Sequence, residues 1–260
     1  MPTLQGWYAG PRFGAEAEAN RRLIGVGVRA RRCLPSLDPQ IPTEERIMDS
    51  TSLALTGSAI DGGLFVDITD FARDTPALHT PMAWLSSYGI LVFVALLAFT
   101  WWRARAASSA AMACAMAGFV SAPLASLVNT GIKDAVAETR PCRVFAHAYV
   151  IETCPGAEDY SFPSNHAVVA FAAVAALLVI NRRLGGVALL AALPLAFSRV
   201  YVGAHYPHDV LAGALLGILI GTPVTLAGRR YGTTAVDYLR RGPGRLLVGS
   251  PHRTAPRSAT

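Results

Sequence analysis

The sequence predicts an all-α fold, a polytopic bundle of five or six transmembrane helices, and three observations carry that expectation. Hydrophobic side chains make up 52% of the 260 residues and charged ones only 15%. That leaves too few charges to coat a soluble domain of this size. Three runs are apolar over the length a bilayer demands: Met82 to Trp102, Ala106 to Thr130 and Val210 to Gly228. Two shorter apolar runs, His166 to Ile180 and Leu184 to about Val202, lie between the second and third.

Taken in chain order, residues 1–47 hold seven arginines and no apolar core of the kind a signal peptide needs. They are expected to be a disordered or dispensable leader, with translation from Met48 as an alternative. Residues 48–81 read as an amphipathic lead-in, with a short helix over Ala59 to Phe71 expected to lie along the interface. Asp61, Asp67, Asp70 and Arg73 make a sixth span there expensive. Residues 82–228 form the transmembrane domain. Its first span ends in Trp101 and Trp102, suited to a membrane interface. As a helix, His166 to Ile180 rises only about 22 Å, so it can span only if other helices or a water-filled mouth cover it. Residues 229–260 form a basic cytoplasmic tail, expected to be disordered from about Arg240 because it is rich in Arg, Pro, Gly and Ser.

The formal charge is +6, carried by 22 arginines and a single lysine, Lys133. A nucleic-acid partner is disfavoured, because the arginines fall mainly at helix ends and in the tails. Arg103 and Arg105 follow the first span, Arg182 and Arg183 separate the third from the fourth, and Arg229 and Arg230 follow the fifth. By the positive-inside rule these positions are cytoplasmic. Residues 131–165 and the stretch around His205 then fall together on the extracytoplasmic face of the cell membrane. With five spans the arginine-bearing leader would share that face, against the same tendency.

Three polar clusters sit on that face. The first is "KDAVAETRPC", where Lys133 taken alone reads as a snorkelling interfacial cation. Arg140 lies seven residues on, a spacing that puts the two cations on one face if the helix continues to Pro141. The second is "FPSNH", in which Ser164 or Asn165 suits an N-cap and His166 falls in the first turn. Free amides at such a start also make an anion site. The third is "SRVYVGAHYPHDV", with Ser198, Arg199, His205 and Asp209. The four-residue step from His205 to Asp209 lets carboxylate and imidazole meet across one helical turn or a turn into a helix. An Asp that accepts from one ring nitrogen leaves the other free to attack.

Each cluster has a dull explanation on its own. Together they supply three cations, hydroxyls, two histidines and a carboxylate, a set that suits phosphoryl transfer, where charge spread over the phosphoryl oxygens needs fixed cations and amide donors. No convincing cage of Asp, Glu and His ligands is legible, so neither metal nor cofactor is expected. Cys142 and Cys154 flank the predicted outer loop, where they could bridge beside Arg140 or stay reduced.

With these residues in place, the sequence resembles the type 2 phosphatidic acid phosphatase family. The family pattern is a lysine, six residues and Arg-Pro; then Pro-Ser-Gly-His; then Ser-Arg, five residues, His, three residues and Asp. Lys133 with Arg140-Pro141, Pro163 to His166, and Ser198-Arg199 with His205 and Asp209 reproduce those gaps. The resemblance implies that His205 is the nucleophile, oriented by Asp209, and that His166 is the general acid and then the base for water. Lys133, Arg140 and Arg199 would clamp the phosphoryl oxygens, with Ser164, the amide of Asn165 and Ser198 adding hydrogen bonds. Asn165 departs from the family's glycine; Asn tolerates a positive φ, so a working contact with an altered pocket shape is expected.

Within the family, "FPSNH", "SRVYVGAHYPHDVL" and the lead-in are similar to bacterial undecaprenyl-diphosphate phosphatases of the bacitracin-resistance type. That similarity implies a polyprenyl diphosphate as substrate, hydrolysed to the monophosphate and phosphate, with a lipid diphosphate or monophosphate as the wider substrate class. The alternatives are a broader lipid phosphate phosphatase acting on phosphatidic acid or phosphatidylglycerophosphate, and a non-catalytic transporter or assembly protein.

Overall fold

The computed structural model describes residues 57–250, which are all-helical with no strand, as the composition predicts. The leader 1–47 and the alternative start at Met48 lie outside the described residues. Helix α1 (Gly57–Asp74) covers the expected lead-in helix and is kinked at Asp61. A 3₁₀ turn (Pro76–Leu78) leads to α2 (His79–Tyr88) and α3 (Ile90–Ala104). Then come α4 (Ser109–Val136), the short α5 (Pro141–Val144), α6 (Asn165–Ile180), α7 (Arg182–Tyr201) and α8 (Pro207–Tyr231). The last two are α9 (Thr233–Arg241) and α10 (Arg245–Val248).

Local chemistry explains the boundaries. Ser108 caps α4 by accepting the Ala111 N–H at 3.3 Å, and Asn181 caps α7 by accepting the N–H groups of Arg183 and Leu184 at 2.9 and 3.2 Å. Pro207 opens α8, where its missing N–H costs nothing. Helix α4 ends at Ala137, which takes the left-handed conformation with φ 52°.

Among the described residues, Ser109–Val144, Arg182–Tyr201 and Pro207–Tyr231 are long and apolar enough to cross a membrane. The predicted first span is not straight: α2 and α3 together have the required length but bend by 47° at Gly89. A side chain at Gly89 would come within 2.4 Å of the Leu85 carbonyl and 2.9 Å of Leu195, so the bend belongs to the packing of this bent helix pair on α7.

The predicted third span is α6, 16 residues long. Its position explains why so short a helix is stable: Ala167, Val168 and every residue from Ala170 to Leu177 are buried. Helices α4, α7 and α8 enclose it, so protein rather than lipid faces most of its surface. Helix α8 meets it through Gly213, Gly217 and Gly221, one per turn. A Cβ at Gly217 would stand 2.4 Å from the Val168 carbonyl, and one at Gly213 2.6 Å from the Ser164 carbonyl. This is the small-residue seam by which helices approach closely in lipid.

The expectation of disorder from about Arg240 is corrected up to Ser250. Val236 and Val248 bury their side chains with Ala104, Met112, Ala113 and Ala115, and Arg105 donates to the Leu246 carbonyl at 2.8 Å. The composition of this segment is polar, but α9 carries one apolar face, and the bundle end offers a surface to receive it.

Candidate active site

Because α4, α6, α7 and α8 alternate in direction, the C-terminal ends of α4 and α7 and the N-terminal ends of α6 and α8 gather at one end of the bundle. Those ends carry Lys133, His166, Arg199 and Asp209. His205 lies in the turn between α7 and α8 and is 2% exposed. Its Nδ1 is 3.3 Å from Oδ2 of Asp209, and its Nε2 is 3.5 Å from Nη1 of Arg140.

Asp209 is fully buried at the third position of α8. The same Oδ2 accepts the Tyr206 N–H at 2.9 Å and a short hydrogen bond from the Ser161 hydroxyl. The turn therefore fixes the carboxylate before it touches the imidazole. Burial, then the charges of Arg199, Arg140 and Lys133, hold the His205 imidazole well below its ordinary value. It stays neutral, and Asp209 takes the proton side at Nδ1. That leaves Nε2 with its lone pair facing the arginine, the state a nucleophile needs. His166 lies half-buried in the first turn of α6, where burial and then the charges of Arg199, Arg140 and Lys133 push its imidazole down to about 4.

The expectation that Lys133 and Arg140 share a helix face is corrected, since α4 stops at Val136 and Arg140 lies beyond the turn as the residue before α5. Pro141 therefore starts a helix instead of ending one. The two cations still converge, but through a loop carboxylate. Arg140 donates from Nη2 to Oδ1 of Asp159 at 2.9 Å, from Nε to the Asp159 carbonyl at 2.8 Å and from Nη1 to the Ala204 carbonyl at 2.9 Å. Lys133 lies 3.6 Å from the same Oδ1 and makes a short hydrogen bond to the Tyr160 carbonyl. Burial works to raise the Asp159 carboxyl, but the hydrogen bond and charge of Arg140 and the charge of Lys133 outweigh it and hold it below the ordinary range.

Arg199 is arranged in the same way. Its Nη1 is 3.0 Å from Oε2 of Glu152 and makes a short bond to the Ser86 hydroxyl, which itself donates to Glu152 at 3.2 Å. Each cation of the set is thus paired with an anion from the segment between α5 and α6. Asp159 and Glu152 were not singled out from the sequence. The only signal was that acidic residues cluster in the same predicted loop as the cations.

Two buried donors on the expected phosphate-binding residues have no protein partner: the Ser164 hydroxyl and Nε of Arg199. An unsatisfied buried polar group costs about 1–3 kcal/mol, and a bound phosphoryl oxygen would relieve it. Ser164 is the N-cap of α6, yet its side chain makes no capping bond, which leaves the hydroxyl for a ligand. Ser198 differs: its hydroxyl donates to the Leu195 carbonyl at 2.7 Å, within its own helix.

Asn165 does not adopt a positive φ; among non-glycine described residues that conformation is confined to Ala137. The reason for tolerating Asn is instead its side chain. Its Oδ1 accepts from Asn129 Nδ2 at 3.2 Å and from the Ser126 hydroxyl at 3.1 Å, tying α6 to α4 and leaving the backbone amide at the helix start.

The disulfide Cys142–Cys154, with Cα atoms 6.0 Å apart, closes the loop that begins two residues after Arg140. His208, given no firm role by the sequence, sits among Asp61, Glu138 and Asp209. Those carboxylates come from three separate segments, so no local motif announces the cluster.

Comparison with known proteins identifies the family. The sequence pattern of the PAP2 superfamily matches residues 118–231. Undecaprenyl-diphosphatase BcrC of Bacillus subtilis (strain 168) is 31% identical over 162 residues, covering 61% of this chain and 79% of that protein. An undecaprenyl-diphosphatase of Sulfolobus acidocaldarius is 37% identical over 99 residues, covering 38% and 47%. The crystal structure of Aquifex aeolicus LpxE superimposes with a TM-score of 0.50 at 22% identity, over 64% of this chain and 94% of that one, and shares the fold. With the lysine–arginine, serine–histidine and histidine–aspartate segments all inside the matched region, the chain belongs to the PAP2 superfamily and is a phosphatase of lipid phosphates.

Proposed function

We propose that this membrane protein hydrolyses a polyprenyl diphosphate, undecaprenyl diphosphate in the first instance, to the monophosphate and inorganic phosphate through a phosphohistidine at His205. The observation that carries the reading is the two-sided engagement of that imidazole, Asp209 on Nδ1 and Arg140 beside Nε2. Nε2 attacks the terminal phosphorus, and the bond to the bridging oxygen breaks. His166 protonates that oxygen, releasing the lipid monophosphate. His166 then takes a proton from water, whose oxygen attacks phosphorus, the P–N bond breaks, and phosphate leaves with His205 restored.

Substrate binding requires Lys133, Arg140 and Arg199 to exchange the carboxylates of Asp159 and Glu152 for phosphoryl oxygens, with Ser164 and the Asn165 amide as further donors. The diphosphate preference draws on the similarity to the undecaprenyl-diphosphatases of Bacillus subtilis and Sulfolobus acidocaldarius. A lipid monophosphate leaves more readily than an alkoxide, which suits a single histidine as the acid.

A broader lipid phosphate phosphatase is the second reading, because every group named at the site addresses phosphate and none addresses the lipid. Phosphate release from undecaprenyl diphosphate, phosphatidic acid and phosphatidylglycerophosphate in detergent separates the two. A rate on the diphosphate no greater than on the glycerolipids would overturn the narrower proposal.

The arginines at 103, 105, 182, 183, 229 and 230 support an extracytoplasmic site, as does a disulfide beside Arg140. A cysteine placed at Ala157 is expected to react with an impermeant thiol reagent in intact cells. Labelling from the cytoplasmic side alone would invert this topology.

A further inference from the structure

Beside the reacting groups, Nε2 of His208 lies 3.1 Å from Oε1 of Glu138, 3.3 Å from its Oε2, and 3.4 Å from Oδ1 of Asp209. We propose that Glu138, His208 and Asp209 form a three-ligand site for a divalent cation of the zinc type, and that filling it slows the phosphatase by drawing Asp209 away from His205.

Four observations point to a cation. The three ligand atoms lie within 4.8 Å of one another. Two metal bonds of about 2.0–2.1 Å at a tetrahedral angle place their ligand atoms roughly 3.3 Å apart, which matches the separations around Nε2. Oδ1 of Asp209 is completely buried and has no hydrogen-bond partner, yet it is aimed at His208, whereas Oδ2 of the same carboxylate holds His205, Tyr206 and Ser161. Finally, His208 has the support that metal-bound histidines show: its Nδ1 is 2.8 Å from Oδ1 of Asp61, whose Oδ2 accepts the His208 N–H at 2.7 Å. That carboxylate fixes the ring and directs Nε2 into the cluster.

Charge argues the same way. Three carboxylates surround one imidazole, and the side chains of Glu138 and Asp209 are 6% and 0% exposed. His208 and Lys133 both act on Asp209, and a divalent ion would add positive charge directly beside these buried carboxylates. An incoming ion replaces the proton on Nε2 and releases it to solvent. The fourth position is left for water. Because the ion would share Asp209 with His205, its positive charge competes with the imidazole for that carboxylate.

The full chain, purified in detergent without a histidine tag, tests this by competition for Zn²⁺ against a chromophoric chelator and by the visible spectrum of bound Co²⁺. One ion per chain and an intense four-coordinate Co²⁺ spectrum are expected, with turnover falling at least fivefold as the site fills. His208→Ala and Glu138→Gln should each weaken binding at least a hundredfold. Asp61→Asn, which leaves all three ligands in place, should weaken it about 10–100-fold, and His147→Ala should not change it. Failure of the native chain to bind at micromolar free Zn²⁺, or equal binding by Glu138→Gln or Asp61→Asn, overturns the site. Stoichiometric binding with unchanged turnover overturns the inhibition. Binding is read without any phosphatase assay, so its failure is distinct from failure of the proposed reaction.

Discussion

Oδ2 of Asp209 meets Nδ1 of His205 at 3.3 Å while the backbone N–H of Tyr206 holds that same oxygen at 2.9 Å. The carboxylate is therefore positioned by the same turn that carries His205, the proposed nucleophile. Asp209→Asn keeps the shape but can present an amide donor to Nδ1, which favours the wrong tautomer. Its kcat is expected to fall about 10³–10⁴-fold, by the reasoning that applies to other buried Asp–His pairs. His205→Ala should abolish turnover; a tenth of the native rate remaining would exclude His205 as nucleophile.

Asp159 bridges Lys133 and Arg140 where a phosphoryl group would bind. Asp159→Asn removes a competing charge, so KM for the lipid substrate and the inhibition constant for inorganic phosphate should both fall severalfold. Steady-state kinetics with added phosphate measures both. A raised KM would show that Asp159 positions the cations instead of competing for them.

Under the proposed mechanism, Lys133→Ala and Arg199→Ala each remove a cation that stabilises spreading negative charge. Each should lower kcat about 10²–10³-fold, equivalent to ~3–4 kcal/mol of transition-state stabilisation. Because Arg199 is buried against Glu152, Arg199→Ala should also lower the melting temperature, whereas Glu152→Gln should preserve most of the rate. His147→Ala is expected to leave kcat within twofold.

The Cys142–Cys154 bridge closes a loop with a sequence separation of 12. Loop-closure entropy for this size amounts to about 3 kcal/mol. Cys142→Ser with Cys154→Ser should therefore destabilise the chain by about that amount and loosen Arg140, raising KM. Peptide mapping under non-reducing conditions should recover the two cysteines as one linked species, and two free thiols would refute the bridge.

The buried neutral state of His205 has a consequence for stability. Its folded pKa is depressed, so below the unfolded imidazole value of about 6.5 the unfolded chain binds a proton that the folded chain refuses. The His205 contribution is therefore complete above that pH and is lost as pH falls toward the folded value. Between pH 7.5 and 5.0 the native chain should lose melting temperature more steeply than His205→Gln. Parallel slopes would contradict a neutral buried imidazole.

By itself, the sequence determined what depends on nearby residues. The apolar runs marked helices, the prolines and caps marked their starts, and the fixed gaps within each motif named Lys133, Arg140, Ser164, His166, Arg199, His205 and Asp209. The His205–Asp209 contact was legible because four residues across a turn leave few geometries to consider. Tertiary structure decided the relationships between distant segments. Lys133 and Arg140 meet across a turn that no periodicity reveals, because left-handed Ala137 ends α4 before Arg140. Asp159 and Glu152 gained their partners only when the α5–α6 segment folded back over the helix ends. His208 lies 70 residues from Glu138 and 147 from Asp61, distances over which sequence spacing carries no geometric information. The brevity of α6 and the order of α9 and α10 likewise depended on which apolar faces neighbouring helices could cover. Those choices arise from packing, where a glycine seam or a buried valine acts only when its complementary surface is present.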